Sequence, residues 1–170
     1  GAGMPKGILN SNALVSVSGE TGQTATTIVA ENIIKMRSRM YGPSRANGIW
    51  LINQDCEPQL QTMGISMGAS AIPVWLPMGG LTAQPFDTLY GRPVLPAEQC
   101  ATMGTVGDIL FIDPTQYIII EKGGVQSASS MHVRFLYDEM VYRFTYRVDG
   151  QPTWSNTLTP FKGSSTLSPF

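Results

Sequence analysis

The sequence is poor in charge, in histidine and in cysteine. Charged residues make up 14% of it and the formal net charge is −1, so it would not attract a polyphosphate or an anionic membrane over a distance. This balance argues against a nucleic-acid-binding domain. No apolar run approaches the roughly 20 residues that a membrane-spanning helix needs. The first nine residues lack the features of a secretion signal and read like the middle of a longer chain.

The scarcity of reactive side chains also argues against an enzyme. His132 is the only histidine, so a histidine-based triad or metal site would depend on this one residue, which falls in a predicted strand. Cys56 and Cys100 are too far apart in sequence for a metal or redox pair, and we expect two unpaired, buried or half-buried thiols. The carboxylates look like helix-start and turn residues. We therefore assign no catalytic, cofactor-binding or metal-binding residue.

The residues that are abundant predict a folded chain with many turns. Hydrophobic residues reach 42%, too many for a disordered chain, and 18 Gly and 12 Pro imply many irregular connections. We expect a loop-rich α+β fold, with a small mixed sheet flanked by helices.

The first predicted helix covers residues 27–41. Thr26 or Thr27 would cap its start, and apolar residues recur within it at spacings of four and three. Gly42-Pro43 would end it, because proline disfavours a helical residue before it.

The next segment predicts a buried strand followed by a second helix. Residues 48–53 form a short apolar run between turn residues, the pattern of a strand that is buried on both faces. Asp55 is a plausible cap for the helix that follows, with Leu60 and Met63 facing inward.

Residues 64–88 are the least regular part of the chain and contain several glycines. Such a long loop is usually functional or mobile. We name four of its apolar residues as candidate subunit-interface residues: Met67, Trp75, Met78 and Leu81. The alternative, that these side chains pack on the core of their own domain, is equally compatible with the pattern.

The rest of the chain is rich in predicted strands. Runs at 89–95, 108–112 and 117–120 are typical strand sequences, with Asp113-Pro114 at the turn between the last two. After Gly150 the tail is rich in Ser, Thr and Pro, and we expect a short element near 158–161 and a frayed terminus.

Strict alternation at 140–148 is the clearest structural signal. One face carries Met and aromatic residues and the other is mostly polar, which predicts an antiparallel strand with one packed and one exposed face. Its partner would be residues 131–137, across a turn near Asp138-Glu139. The arginines Arg134, Arg143 and Arg147 would either be solvated or meet carboxylates of a neighbouring subunit.

A series of short motifs occurs in the same order as in a known family: GMPKGILN at 3–10, ANGIWLIN at 46–53, LYGRPV at 89–94, GD at 107–108, QYII at 116–119, GG at 123–124, HVRF at 132–135 and RFTYRVDG at 143–150. No single motif is specific, but the ordered set is. On these motifs the chain resembles the C-terminal half of HK-ninety-seven-type major capsid proteins of tailed bacteriophages and prophages.

The resemblance implies a division of the chain. Residues 1–122, with the returning tail 151–170, would correspond to the axial domain, and 123–150 to the long β-hairpin of the peripheral domain. The N-terminal arm, extended loop and spine helix of the family would precede Gly1. The hairpin segment 131–137 contains no Asn, so the Lys–Asn crosslink of some relatives is not carried over.

The function that the resemblance implies is structural. The chain would self-assemble into hexamers and pentamers of an icosahedral head around the genome, in the bacterial host cytoplasm, with scaffolding or decoration proteins as further partners. It would need no cofactor, membrane or specific nucleic-acid sequence. Two alternatives stay open: an encapsulin-like nanocompartment shell, and a small α+β enzyme with an unfamiliar site.

Overall fold

The computed structural model describes residues 3–67, 70–73 and 88–170, with the side chains of 62, 64–67 and 70–73 also left outside the description. The described part contains two α-helices and ten strands, in the order α1 (Ala30–Arg39), β1 (Ile49–Ile52), α2 (Glu57–Thr62), β2 (Gly64–Met67), β3 (Ser70–Pro73), β4 (Thr88–Leu89), β5 (Arg92–Pro96), β6 (Ile109–Ile112), β7 (Tyr117–Glu121), β8 (Gln126–Arg134), β9 (Glu139–Thr145) and β10 (Val148–Pro152). No helix among these residues is long and apolar enough to cross a membrane.

Strand β1 lies inside a four-stranded mixed sheet of order β4-β5-β1-β6, which with its flanking helices and the tail forms the body of the molecule. It pairs in parallel with β5 and antiparallel with β6. Trp50 and Ile52 point into the larger of two hydrophobic clusters, whereas Ile49 and Leu51 pack against the smaller one. The prediction of a strand covered on both faces is therefore confirmed.

The stacked pair Trp50–Phe111 fills the larger cluster. The two residues are direct partners across β1 and β6, and their rings stack at a centroid distance of 4.1 Å and an interplanar angle of 14°. The indole Nε1 of Trp50 donates a hydrogen bond to the backbone carbonyl of Leu89 at 3.1 Å. Because its one polar atom has a partner, the fully buried indole carries no desolvation penalty for an unpaired donor.

Helix α1 begins three residues later than predicted, and its cap was predicted wrongly. The Oδ1 of Asn32 accepts a hydrogen bond from the backbone N–H of Val29 at 3.0 Å, which closes the start of the helix. The hydroxyls of Thr26 and Thr27 instead donate to carbonyls earlier in the chain. The predicted end holds, since the helix stops at Arg39, before Gly42-Pro43.

The cap of the second helical segment is Asn53, not Asp55. The Oδ1 of Asn53 accepts a hydrogen bond from the N–H of Asp55 at 2.9 Å, so Asp55 lies inside the turn that it was predicted to begin. The side-chain amide of Asn53 also donates to the carbonyl of Cys100 at 2.8 Å. Leu60 and Met63 are buried as predicted.

The three β-rich runs of the sequence form strands in the structure. The run 89–95 is a hairpin of β4 and β5, because Tyr90 and Gly91 both have positive φ (53° and 70°) and form its turn. Strands β6 and β7 are confirmed, with the predicted turn at Asp113-Pro114 between them. They do not pair with each other, since β6 pairs with β1 and β7 pairs with β10.

The predicted frayed terminus is wrong, because residues 168–170 are buried. Phe170 belongs to the smaller hydrophobic cluster. The carbonyls of Ser168 and Pro169 accept backbone hydrogen bonds at 2.9 Å from Tyr41 and Asp113 respectively. The polar composition of residues 155–166 hid the fact that the segment after them returns to the body.

Candidate functional site

A long antiparallel hairpin, β8–β9, forms a two-stranded sheet separate from the four-stranded one. The predicted pairing is confirmed, although β8 begins at Gln126 and residues 135–137 form a 3-10 turn instead of strand. Asp138 closes this turn with φ 54°, a left-handed conformation that Asp tolerates better than most residues. The hairpin surface is defined here as residues 126–145.

The aromatic face of the hairpin surface is exposed, so the prediction of a packed face is wrong for the described residues. Met140, Tyr142 and Phe144 are 50%, 64% and 70% exposed. The residues opposite Tyr142 and Phe144 on β8 are Ser129 and Ser127. A serine is too small to cover an aromatic ring, so the two strands of the hairpin do not bury each other's side chains.

The tip of the hairpin is also apolar. Phe135, Leu136 and Tyr137 are 72%, 92% and 74% exposed. Consecutive apolar residues at such exposure are uncommon on a monomeric soluble protein and are typical of a surface that contacts a partner. We did not predict this tip, because residues 131–137 were expected to form a strand. The apolar run Phe135-Leu136-Tyr137 directly before the expected turn at Asp138-Glu139 was the signal available in the sequence.

The predicted arginine face is only partly assembled. Arg134 pairs with Glu139 of the same hairpin at 2.7 Å, in an exposed ion pair. Arg143 lies on the same face of the sheet, opposite Ala128, whereas Arg147 lies beyond the end of β9. Their role at a subunit interface stays a prediction.

The structure does not test the four candidate interface residues of the segment 64–88. Trp75, Met78 and Leu81 lie outside the described residues, and so does the side chain of Met67, whose backbone belongs to β2.

The β7–β10 ribbon joins the hairpin to the body. The N–H of Lys6 donates to the carbonyl of Gly150 at 2.7 Å, and the hydroxyl of Tyr117 donates to the carbonyl of Lys6 at 3.0 Å. Gly150 is buried, and a Cβ there would lie 2.8 Å from the Tyr117 ring. Glycine is therefore required for this close approach.

One further bond ties the hairpin to this ribbon. The hydroxyl of Tyr146 donates a hydrogen bond to Oε1 of Glu121 at 2.6 Å, and this bond to a carboxylate raises the pKa of Tyr146.

A cleft of about 450 Å³ lies between the segment 14–28, helix α1 and strand β6. It is where an enzyme site would be sought, but its carboxylates already have structural partners. Glu20 pairs with Lys35 at 2.6 Å, and Asp108 accepts hydrogen bonds from two backbone N–H groups. His132 is not among the residues that line it.

The cysteines are unsuited to nucleophilic chemistry. Both are buried and unpaired, and burial raises the pKa of both the Cys56 and Cys100 thiols, so they remain protonated at neutral pH. Across the described part of the chain, no three His, Cys, Asp or Glu side chains come close enough to hold a metal ion.

Comparisons with known proteins found a family model and solved capsid structures that are similar to this chain. A model described as the phage capsid family matches residues 1–163. A solved structure titled "Capsid of native GTA particle computed with C5 symmetry" is 17% identical, with a TM-score of 0.62, over 88% of this chain and 52% of that chain.

A second structure, the corresponding capsid of the empty GTA particle, is 20% identical, with a TM-score of 0.57, over 73% of this chain and 40% of that chain. This chain therefore spans about half, or less, of the solved chains that it matches. The α+β fold with a mixed sheet is confirmed by these likenesses. A search of curated protein sequences found no match.

Proposed function

This chain belongs to the phage capsid family, and we propose that its role is structural, that of a major capsid protein that tiles an icosahedral head as hexamers and pentamers around a genome. The chain associates with copies of itself, and its work is assembly instead of catalysis. Scaffolding or decoration proteins are proposed as additional partners, and the bacterial host cytoplasm as the place of assembly.

The observation that carries this proposal is the exposed apolar hairpin surface. A domain whose stability depended on this hairpin would bury Phe144 and Leu136, yet they are 70% and 92% exposed. Burying one large apolar side chain contributes roughly 1.5–3 kcal/mol. Contact between these side chains and a neighbouring subunit would therefore stabilise the assembly. An exposed apolar hairpin is suited to association.

We propose the domain division 1–122 with 151–170, and 123–150, on the basis of two contacts. Lys122 donates its N–H to the carbonyl of Arg147 at 3.0 Å, so the two ends of the hairpin segment leave the body side by side. The tail then returns, and the guanidinium of Arg39 donates hydrogen bonds to Thr166 at 2.5 and 2.6 Å. The hairpin is thus an excursion from a body that is closed by the tail.

The test compares two substitutions in the intact gene product. Leu136→Asp places a charge at the hairpin tip, and Phe161→Asp places the same charge at another fully exposed apolar position, in the tail. We expect Leu136→Asp to raise the protein concentration needed for assembly by about tenfold or more, since a buried charge must be desolvated, and Phe161→Asp to have little effect. Sedimentation velocity measures assembly, and circular dichroism confirms folding.

Two results would contradict the proposal. A wild-type product that stays monomeric over a wide concentration range would remove the capsid role. Unchanged assembly of the Leu136→Asp variant would remove the hairpin tip from the interface.

A further inference from the structure

Charge is segregated along this chain. Residues 32–54 contain Lys35, Arg37, Arg39 and Arg45 and no carboxylate, whereas residues 93–121 contain four carboxylates and no Lys or Arg. The small net charge conceals this separation. The fold decides whether the two sets of charges mix or remain apart.

Two arginines of the basic set, Arg37 and Arg45, converge with Arg92 at one end of the central sheet. The guanidinium of Arg37 lies 4.6 Å from the centre of the Tyr90 ring. Arg45 donates a hydrogen bond to the carbonyl of the residue that follows Arg37, and Arg92 donates to the carbonyl of the residue that follows Arg45. Tyr90 and Arg92 belong to the same turn, so these contacts close a ring. The three arginines, Arg37, Arg45 and Arg92, are defined here as the basic end.

The partners within this ring are all uncharged. Each arginine of the basic end contacts a carbonyl or an aromatic ring, and among the described residues none of the three forms an ion pair with a carboxylate. The Nε of Arg45 is buried and has no hydrogen-bond partner within the described structure. Within the described part of the chain, the positive charge of the basic end is therefore held in place without a carboxylate partner.

Carboxylates collect at the opposite end of the same sheet. Strands β1 and β5 are parallel, so the residues that follow them share one edge. Asp55 and Glu57 follow β1, and Glu98 follows β5. These three residues are defined as the acidic end. Burial first, and then the charges of Asp108 and Asp55, raise the pKa of Cys56, as expected if both carboxylates lie near this thiol.

The two ends do not neutralise each other. The strands between them have four and five residues, which at about 3.3 Å per residue gives a separation of roughly 13–17 Å. The Debye length at physiological salt is about 8 Å, so each end presents its own charge to the surroundings. The body therefore has a positive end and a negative end along the strand direction.

We propose that the basic end of one copy docks against the acidic end of a second copy. Opposite charges at opposite ends make the contact head-to-tail, and such contacts close into rings when the rotation between copies allows it. Complementary charge would set the orientation of the encounter and speed it. The inference rests on the proposed shell function and assigns it a second contact, separate from the hairpin surface.

The experiment uses charge reversal at exposed positions in the intact gene product. Arg37→Glu and Glu98→Arg each place like charges in the proposed contact, and the double variant restores opposite charges. We expect each single variant to raise the concentration needed for oligomer formation about tenfold, and the double variant to return to within about threefold of wild type. Sedimentation velocity gives these concentrations. Lys162→Glu, an equal change of charge on the exposed tail, is the matched control and should behave like wild type.

Salt provides an independent readout. Raising NaCl from about 0.05 to about 0.5 M should weaken wild-type association and narrow the gap to the single variants, because both the attraction and the introduced repulsion are screened. Circular dichroism of each variant establishes that it is folded, and Arg37→Gln, which only removes the charge, should give an intermediate effect.

The outcomes separate this inference from the capsid role. If the wild type assembles and the single variants assemble equally well, the head-to-tail contact is wrong and the capsid role is unaffected. The same conclusion follows if the defects of the two single variants add in the double variant. A wild-type product that never assembles overturns both. If Arg37→Glu releases bound duplex DNA while assembly is unchanged, the basic end faces nucleic acid and the proposed contact is wrong.

Discussion

Strands β1 and β9 carry similar apolar residues into opposite surroundings. In β1, Trp50 stacks on Phe111 of the neighbouring strand and is fully buried. In β9, Phe144 lies opposite Ser127 and is 70% exposed. The difference lies in the partner strand, because a large side chain is covered only when the opposing positions supply enough volume. The body therefore buries its large apolar side chains, whereas the hairpin leaves them exposed.

A matched pair of phenylalanines tests this comparison with the largest expected effect. Phe111→Ala removes a buried ring and leaves a cavity beside Trp50, so we expect a loss of about 3–5 kcal/mol in the free energy of unfolding. Phe144→Ala, on the exposed face, should change it by less than about 0.5 kcal/mol while weakening assembly. Denaturant unfolding followed by tryptophan fluorescence measures the first effect. Equal losses at the two sites would show that the hairpin is as important to folding as the body.

The connection between the two regions depends on one glycine. Gly150→Ala would place a methyl group 2.8 Å from the Tyr117 ring, and displacing this ring should cost about 1–3 kcal/mol. The measurement is again the free energy of unfolding.

The control for this change is Gly7→Ala, where the added Cβ meets only one atom, at 3.8 Å, and φ is −64°. We expect it to be neutral or to stabilise by less than about 1 kcal/mol. A Gly150→Ala variant as stable as wild type would mean that the ribbon tolerates a different position of the Tyr117 ring.

The smallest changes in stability are expected for two arginines, one in the body and one in the hairpin. Arg39→Gln breaks the partly buried bonds to Thr166, and we expect a loss of about 1–2 kcal/mol in the free energy of unfolding. Arg134→Gln removes an exposed ion pair with Glu139 and should cost less than about 0.5 kcal/mol. Thermal unfolding of both variants checks the order, and a larger loss at Arg134 would reverse the assignment of stability to the body.

The sequence was sufficient for the features that depend on local pattern. Strand β1, the end of α1 before Gly42-Pro43, the antiparallel pairing of β8 with β9 and the α+β class all followed from periodicity, turn residues or ordered motifs. The periodicity and the turn residues are signals within a few neighbouring positions, whereas the ordered motifs extend over most of the sequence.

The errors occurred where the three-dimensional positions of the side chains decide. Thr26 and Asp55 are good capping residues by type, but Asn32 and Asn53 lie where their oxygens reach the free N–H groups. The aromatic face of β9 was expected to be packed. Alternation indicates that one face of a strand is apolar, but it does not indicate which residues cover that face. The two charged ends emerge only when strands far apart in sequence are placed side by side.

The return of the tail to α1 has a consequence for synthesis. Arg39 and Thr166 are bonded although 127 positions separate them, so the body cannot close until the ribosome has added those residues. At about 5–20 residues per second this takes roughly 6–25 s. The hairpin leaves the ribosome during that interval, with its apolar tip exposed and its body unfinished. The body is therefore completed only after the apolar tip of the hairpin has been made.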